Sequence, residues 1–223
     1  MLTDVRSRRA GLLKVPTGRL IACDPGTAMF LQDAPGFAHR FPIGEWPVTV
    51  YAARSDSRGT NGVHLAAAVC VGDAPVQRWA FARPLRMGPR LAGAAEPEEP
   101  AEPWGVSVDG GLAAFVDKAG MPALGQLAQD ALDDGCPGDG PLGIPLQESI
   151  CIELPDAELP ANVVIFGAGV GDGGYPCFVG VAADGRPAVL LILFDTFDAR
   201  ATAAAIGKSL AATADEPDGE PTD

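Results

Sequence analysis

The feature that most limits how this chain can fold is a glycine-punctuated apolar stretch over residues 162–194. Val163 to Phe166 is a short apolar, β-branched run closed by glycines, which predicts a buried strand. Cys177 to Val181 and Ala188 to Phe194 are two further runs, separated by Ala183-Asp184-Gly185-Arg186. Asp-Gly between apolar runs favours a type I′ hairpin turn, because these residues tolerate positive φ best. Antiparallel pairing of the last two runs follows. Pro187 lacks a ladder donor, so that end belongs at a sheet edge or a bulge.

The same stretch contains Gly169-Val170-Gly171-Asp172-Gly173-Gly174, which fits the G-x-G-x-x-G spacing of a dinucleotide loop after a strand. That loop works only where a helix begins and its N-terminus receives the pyrophosphate. Here Tyr-Pro-Cys-Phe-Val-Gly-Val follows, short and β-prone, and too little chain remains for a doubly wound sheet. A glycine-rich loop between strands is the better reading.

The remaining segments read as more of the same architecture. Gly11 to Cys23 predicts two short strands joined at Pro16-Thr17-Gly18 and stopped by Asp24-Pro25, and residues 27–41 a loop with at most a helical turn. Pro47 to Ala53 is strand-like and Arg54 to Gly62 a polar loop. Val63 to Val71 and Pro75 to Ala82 read as a second hairpin turned at Gly72-Asp73. Residues 88–103, rich in Ala, Glu and Pro, cannot bury apolar area and predict a mobile acidic insertion inside one β-rich domain spanning 1–211. Val106 to Asp109 and Leu112 to Val116 flank a Gly110-Gly111 turn. Pro122 to Leu132 is the best helix, with Leu124, Leu127, Ala128, Ala131 and Leu132 on one face. Gln147 to Leu154 predicts a strand, Ala199 to Ala211 a weak helix, and residues 212–223 a disordered tail. The fold class is mainly β (β-rich α+β): antiparallel hairpins forming a sandwich or strongly twisted sheet, with one or two short helices.

Charge narrows the partners. The net charge is −13, unevenly placed: residues 1–100 carry 12 Lys or Arg against 9 Asp or Glu, and residues 101–223 carry 4 against 20. Such acidity repels phosphate backbones, so nucleic acid is not an expected partner; it would suit a basic protein, although keeping the protein soluble is the plainer reading of the same charge. No apolar run reaches the length of a membrane-spanning helix, and no secretory signal is visible, which predicts a cytoplasmic protein. The five cysteines are odd in number and widely spaced, as expected of reduced thiols; with two histidines and no C-x-x-C, a zinc site is not expected.

Four groups of residues, taken in order, resemble the bacterial domain-of-unknown-function 4241 family. They are Gly18 with Ala22-Cys23-Asp24-Pro25; Trp79-Ala80; Val108-Asp109-Gly110-Gly111 with Phe115 and Asp117; and Gly171-Asp172-Gly173-Gly174-Tyr175 with Gly180 and Asp184-Gly185. The family usually closes with Asp before Phe after the last strand, whereas here Asp195 follows Phe194. The resemblance implies a mostly β fold with hairpins and no particular chemistry.

Candidate site residues are Asp24, Asp109, Asp117 and Asp172, all at strand ends, with Tyr175 and His39 as possible pocket walls. Converging carboxylates would hold a divalent cation such as Mg²⁺, Mn²⁺ or Ca²⁺ and activate water, the route to a metal-assisted hydrolase. For each Asp taken singly, turn formation is the better reading. A thiolate nucleophile at Cys23 would need His39 or His64 as base, and neither a G-x-S-x-G elbow nor an H-E-x-x-H helix occurs. The leading expectation is a non-enzymatic binding or interaction protein without a cofactor, of immunity or partner-binding type.

Overall fold

Strands that are apolar at every position must be covered on both faces, because successive side chains point to opposite sides of a sheet. The computed structural model meets that demand with two stacked antiparallel sheets. It describes residues 5–53, 64–72, 74–85, 105–134, 142, 148–169 and 171–194. In chain order the elements are β1 (Val5–Val15), β2 (Leu20–Cys23), a 3-10 turn (Pro25–Phe30), β3 (Gly44–Ala53), β4 (His64–Cys70), β5 (Arg78–Phe81), β6 (Gly105–Val108), β7 (Leu112–Asp117), α1 (Met121–Asp133), β8 (Ser149–Leu154), β9 (Ala161–Gly167), β10 (Gly173–Val181) and β11 (Pro187–Leu193). The larger sheet runs β1-β3-β4-β11-β10-β5, with β6 on the free half of β10; the smaller runs β2-β7-β9-β8.

Alternation assigns the cores. Leu190 and Ile192 of β11 join Phe115 of β7 and Val164 and Phe166 of β9 between the sheets. Val163 and Ile165 of β9 turn the other way, onto Leu124 and Ala128 of α1. Val189, Leu191 and Leu193 line the outer face of the larger sheet. Truncating Phe115 or Phe166, whose rings meet at 5.2 Å, would cost about 3–5 kcal/mol in lost burial and cavity.

The β10–β11 hairpin forms as expected, but its turn differs. Gly185 alone takes positive φ (84°), Gly185 N–H donates to Ala182 O at 3.0 Å, and the register shifts between Gly180 and Val181. A left-handed glycine after the turn marks a three-residue loop with a bulge instead of the type I′ form. Pro187 sits at that bulge, opposite Val181.

The second expected hairpin does not form. β4 is buried along most of its length and takes β3 and β11 as neighbours, while the short, half-exposed β5 pairs with β10. Four residues with one wet face cannot cover β4; the seven-residue, fully apolar β11 can. The strands flanking Pro16-Thr17-Gly18 likewise part, β1 to the larger sheet and β2 to the smaller. Gly18 permits this with φ 71°, and its bare Cα lets Phe41 O approach where a Cβ would collide.

α1 starts at Met121 with Pro122 in its first turn, as its sequence predicts, yet Leu132 is 53 % exposed and not part of the packed face. No helix among the described residues is long and apolar enough to cross a membrane. The insertion at 88–103, the loop at 54–62, most of 133–143, and everything from Asp195 onward lie outside the described residues.

Candidate functional site

Asp24 leaves the end of β2 and is 2 % exposed, a burial that a carboxylate tolerates only with donors around it. It has three. Oδ1 accepts from Gly26 N–H at 2.8 Å, capping the 3-10 turn, and Oδ2 accepts from Asp109 N–H at 2.8 Å and Gly110 N–H at 3.0 Å. The next amide in the β6–β7 turn, Gly111 N–H, donates to Asp172 Oδ1 at 3.1 Å. Three successive main-chain amides, a nest of the kind that binds anions, are thus filled by the protein's own carboxylates.

Tyr175 completes the support from below. It is buried, its ring meets Phe194 edge-on at 5.0 Å, and its hydroxyl donates to Gly171 O at 2.7 Å, with Ala168 O 3.2 Å away. This ties the glycine loop to the core. Burial first, and then the charge of Asp172, raise the Tyr175 phenol above its ordinary range. β10 begins at Gly173, so no helix follows the glycine loop to receive a phosphate.

The structure therefore brings together Asp24, Asp109, Asp172 and Tyr175. Asp117 stands apart: Leu20 pairs with Asp117 and Cys23 with Ala114, so Asp24 and Asp117 occupy opposite ends of the β2–β7 ladder, about 13 Å apart at strand rise. Asp117 is fully buried and engaged in turn work, accepting from Thr17 N–H (3.1 Å), Thr17 Oγ1–H (2.6 Å) and Ala119 N–H (3.0 Å). His39 also lies at that far end, in the loop whose Phe37 and Phe41 amides donate to Leu20 O and Gly18 O. Among the described residues no three His, Cys, Asp or Glu side chains gather where they could hold a metal ion.

The thiols and imidazoles give no nucleophile. Burial, and then the Asp24 charge, push the Cys23 thiol up to about 12, so it stays protonated at neutral pH. His64 is buried, and its Nδ1–H donates to Gly167 O at 3.0 Å. Cys23, Cys70, Cys151 and Cys177 are all free thiols.

Outward from the nest the surface has a different character. The β6–β10 register pairs Gly173 with Val108 and Gly174 with Ser107, and Asp172 and Asp109, both exposed, are the residues just past its end. Two carboxylates of like charge at one end of a ladder repel. Beside them, a Cβ on Gly174 would meet nothing within 4 Å, and one on Gly110 only the Asp24 oxygens at 3.8 and 4.0 Å. Neither glycine has positive φ. The fold itself does not require them to be glycine.

One supporting residue carried little sequence signal: Asn162, just ahead of the run Val-Val-Ile-Phe. Its buried amide accepts from Lys14 N–H at 2.8 Å and donates to Leu12 O at 2.7 Å, standing in for a strand along the open edge of β1. Only its position at the head of a buried strand hinted that an amide there must be satisfied.

No curated protein and no solved structure matches the chain. A family model described as a protein of unknown function does match, over residues 13–192, covering β2 through β10 and all of the nest. The chain belongs to the DUF4241 family.

Proposed function

We propose that this is a non-enzymatic binding protein, of partner-binding or immunity type, that takes a basic segment of another protein against the Asp109–Asp172 end of the sandwich. One observation carries the reading: two exposed carboxylates at the end of the β6–β10 ladder, with two glycines close by, Gly110 and Gly174, that neither backbone angle nor packing demands. Glycine within a strand costs about 0.5–1 kcal/mol relative to alanine, and carboxylates of like charge add to that cost. Close approach of a guanidinium-bearing chain would offset both, since a bare Cα admits a neighbouring backbone and carboxylates suit Arg. The net charge of −13 steers such a partner. The reduced thiols suit a cytoplasmic setting. The hydrolase alternative draws no comparable support, because Asp117 is remote from the other three and both oxygens of Asp24 are committed to amides.

The test uses the full chain as bait against lysate, in parallel with Gly174→Val and the double variant Asp109→Asn/Asp172→Asn. The expected result is one or more basic proteins retained at low salt, released at high salt, and lost from both variants, while the melting temperature of Gly174→Val stays at or above wild type. Absence of any partner, or retention indifferent to salt and to Gly174→Val, would refute the reading.

A further inference from the structure

β1 is an edge strand of the larger sheet, and its two halves end differently. Over the C-terminal half the Asn162 amide accepts from Lys14 N–H and donates to Leu12 O, so the edge is closed there. Those two bonds also fix which way the strand faces. Main-chain groups of an antiparallel pair point alternately toward the neighbour and away from it. Leu12 points away from β3, and its partner Pro47, which has no N–H to offer, points away from β1. At every second residue of β3 the same holds for Thr49, Tyr51 and Ala53, whose partners are Arg9, Ser7 and Val5. The register shift between Arg9 and Gly11 moves the outward set from even to odd numbers. Among the described residues nothing bonds to the outward N–H and C=O groups of Val5, Ser7 and Arg9, because β3 is the only strand paired with β1.

An open edge templates another strand, and here charge decides which strand. Arg6, Ser7, Arg8 and Arg9 are all exposed, so both faces of this half of β1 are wet. Arg8 is already engaged. Arg6 and Arg9 have no ion-pair partner among the described residues, and their spacing puts them on opposite faces of the strand. Residues 48–53 of β3 and all of β4 carry no Asp or Glu, and Glu45 and Glu153 lie beside Lys14. From Lys14 to Arg9 the strand runs about 17 Å, about two Debye lengths at physiological salt. A second copy paired through the same edge would lay its own Arg6 and Arg9 along the first pair, and like charges repel. An acidic strand instead meets a guanidinium on each face of the ladder.

We propose that the open half of β1, residues 5–9, is a strand-addition site for an extended acidic segment of another protein. The added strand closes the outward groups of Val5, Ser7 and Arg9 and sets carboxylates against Arg6 and Arg9. Its charge is opposite to that of the partner proposed for the Asp109–Asp172 end, and the two sites share no residue.

The experiment uses the acetylated, amidated peptide Thr-Glu-Val-Thr-Glu-Val, whose carboxylates repeat the spacing of Arg6 and Arg9. Two controls accompany it: the same peptide with Lys for Glu, and the same peptide N-methylated on alternate residues, which keeps its charge but cannot complete a ladder. Main-chain amide signals of the full chain, and their hydrogen exchange, are followed by NMR during titration. The expected result is a saturable shift and slowed exchange of the Ser7 and Arg9 amides with the acidic peptide, and binding at least about fivefold weaker for either control. Ser7→Pro removes an outward N–H, which an edge strand tolerates, and should abolish binding at an unchanged melting temperature. Arg6→Glu/Arg9→Glu should reverse the preference toward the Lys peptide. No binding of the acidic peptide, or binding no tighter than that of either control, would overturn the proposal. So would a Ser7→Pro protein that still binds, or an Arg6→Glu/Arg9→Glu protein that still prefers the acidic peptide. Ser7 and Arg9 amides already protected without peptide would overturn it too, since the edge would then be filled by the chain itself or by a second copy.

Discussion

Removing the Asp24 carboxylate should loosen three segments at once, and the structure sets the size of the effect. Asp24→Ala deletes the cap of the 3-10 turn, worth about 1 kcal/mol, and two charge-assisted bonds to Asp109 and Gly110 amides, worth about 1.5–3 kcal/mol each if no solvent replaces them. Asp109 and Gly110 are exposed residues, so water recovers part of the loss, leaving about 2–4 kcal/mol. Asp24→Asn is the sharper test. Asn caps well, but with its oxygen on Gly26 its amide nitrogen must face two further N–H donors. It should therefore recover no more than about 1 kcal/mol of the deficit. For a domain of this size each kcal/mol moves the melting temperature by about 2–4 °C, so Asp24→Ala should melt about 5–15 °C early. Urea unfolding with an unchanged slope gives the free energy directly. If Asp24→Ala melts within about 2 °C of wild type, the carboxylate is not what holds the β6–β7 turn. Its burial would then need a ligand to explain it.

Three further outcomes are expected. Asn162→Leu leaves Leu12 O and Lys14 N–H without their amide partner at a part-buried edge and should cost about 2–4 kcal/mol by urea unfolding, with Asn162→Asp no better because it cannot donate to Leu12; a loss under 1 kcal/mol would count against the edge-closing role. In a Cys136→Ser background, one thiol should react with a disulfide reagent at pH 7.5 ahead of the others and vanish in Cys151→Ser, since Cys151 is exposed, even though burial and then Glu153 raise its thiol too, while burial pushes Cys70 up to about 11 and Cys23 up to about 12; two equally fast thiols would refute this. Burial, then Arg83 and Arg78, hold the folded His39 below the ordinary 6.5, so the unfolded chain binds its proton first and stability falls as pH drops below about 6.5. His39→Gln should flatten that part of the stability profile, and superimposable profiles for the two proteins would refute it.

How much of this was legible depends on how local the cause is. The β10–β11 pairing, α1 and the strands at 163–166 and 112–116 follow from periodicity and short turns, and all appear. The expected β4–β5 hairpin failed because proximity in sequence favours it, whereas the decision rests on which strand can cover an apolar neighbour on both faces. β11 is remote in sequence and wins on burial. The turn type failed for a smaller reason: Asp184 uses its carboxylate on Arg186 N–H at 3.0 Å and keeps negative φ, leaving Gly185 alone to reverse the chain. At the site, Asp24, Asp109 and Asp172 were nameable because strand ends beside glycine attract Asp. That Asp117 and His39 belong to the other end could not be read without knowing that β2 and β7 run antiparallel.

The charge pattern shows the same limit from another side. By sequence halves the chain divides into +3 and −16, which suggests one basic and one acidic part. The sheets mix those halves completely: β7 and β9 lie beside β2, and β10 and β11 beside β4 and β5. What survives folding is an axis along β2, with guanidiniums at Arg19 and Arg40 and carboxylates at Asp24, Asp109 and Asp172. β2 between them is four residues long, completely buried and paired with β7 along its whole length, so it stays in place when a group beyond one end is removed. Asp24→Ala should therefore disturb the acidic end and leave the His39 NMR signal in place, because Phe37 and Phe41 hold the basic loop to Leu20 and Gly18 independently of Asp24. If the His39 resonance moves in Asp24→Ala while the protein stays folded, the two ends communicate through β2, and binding at the acidic end would then alter the other.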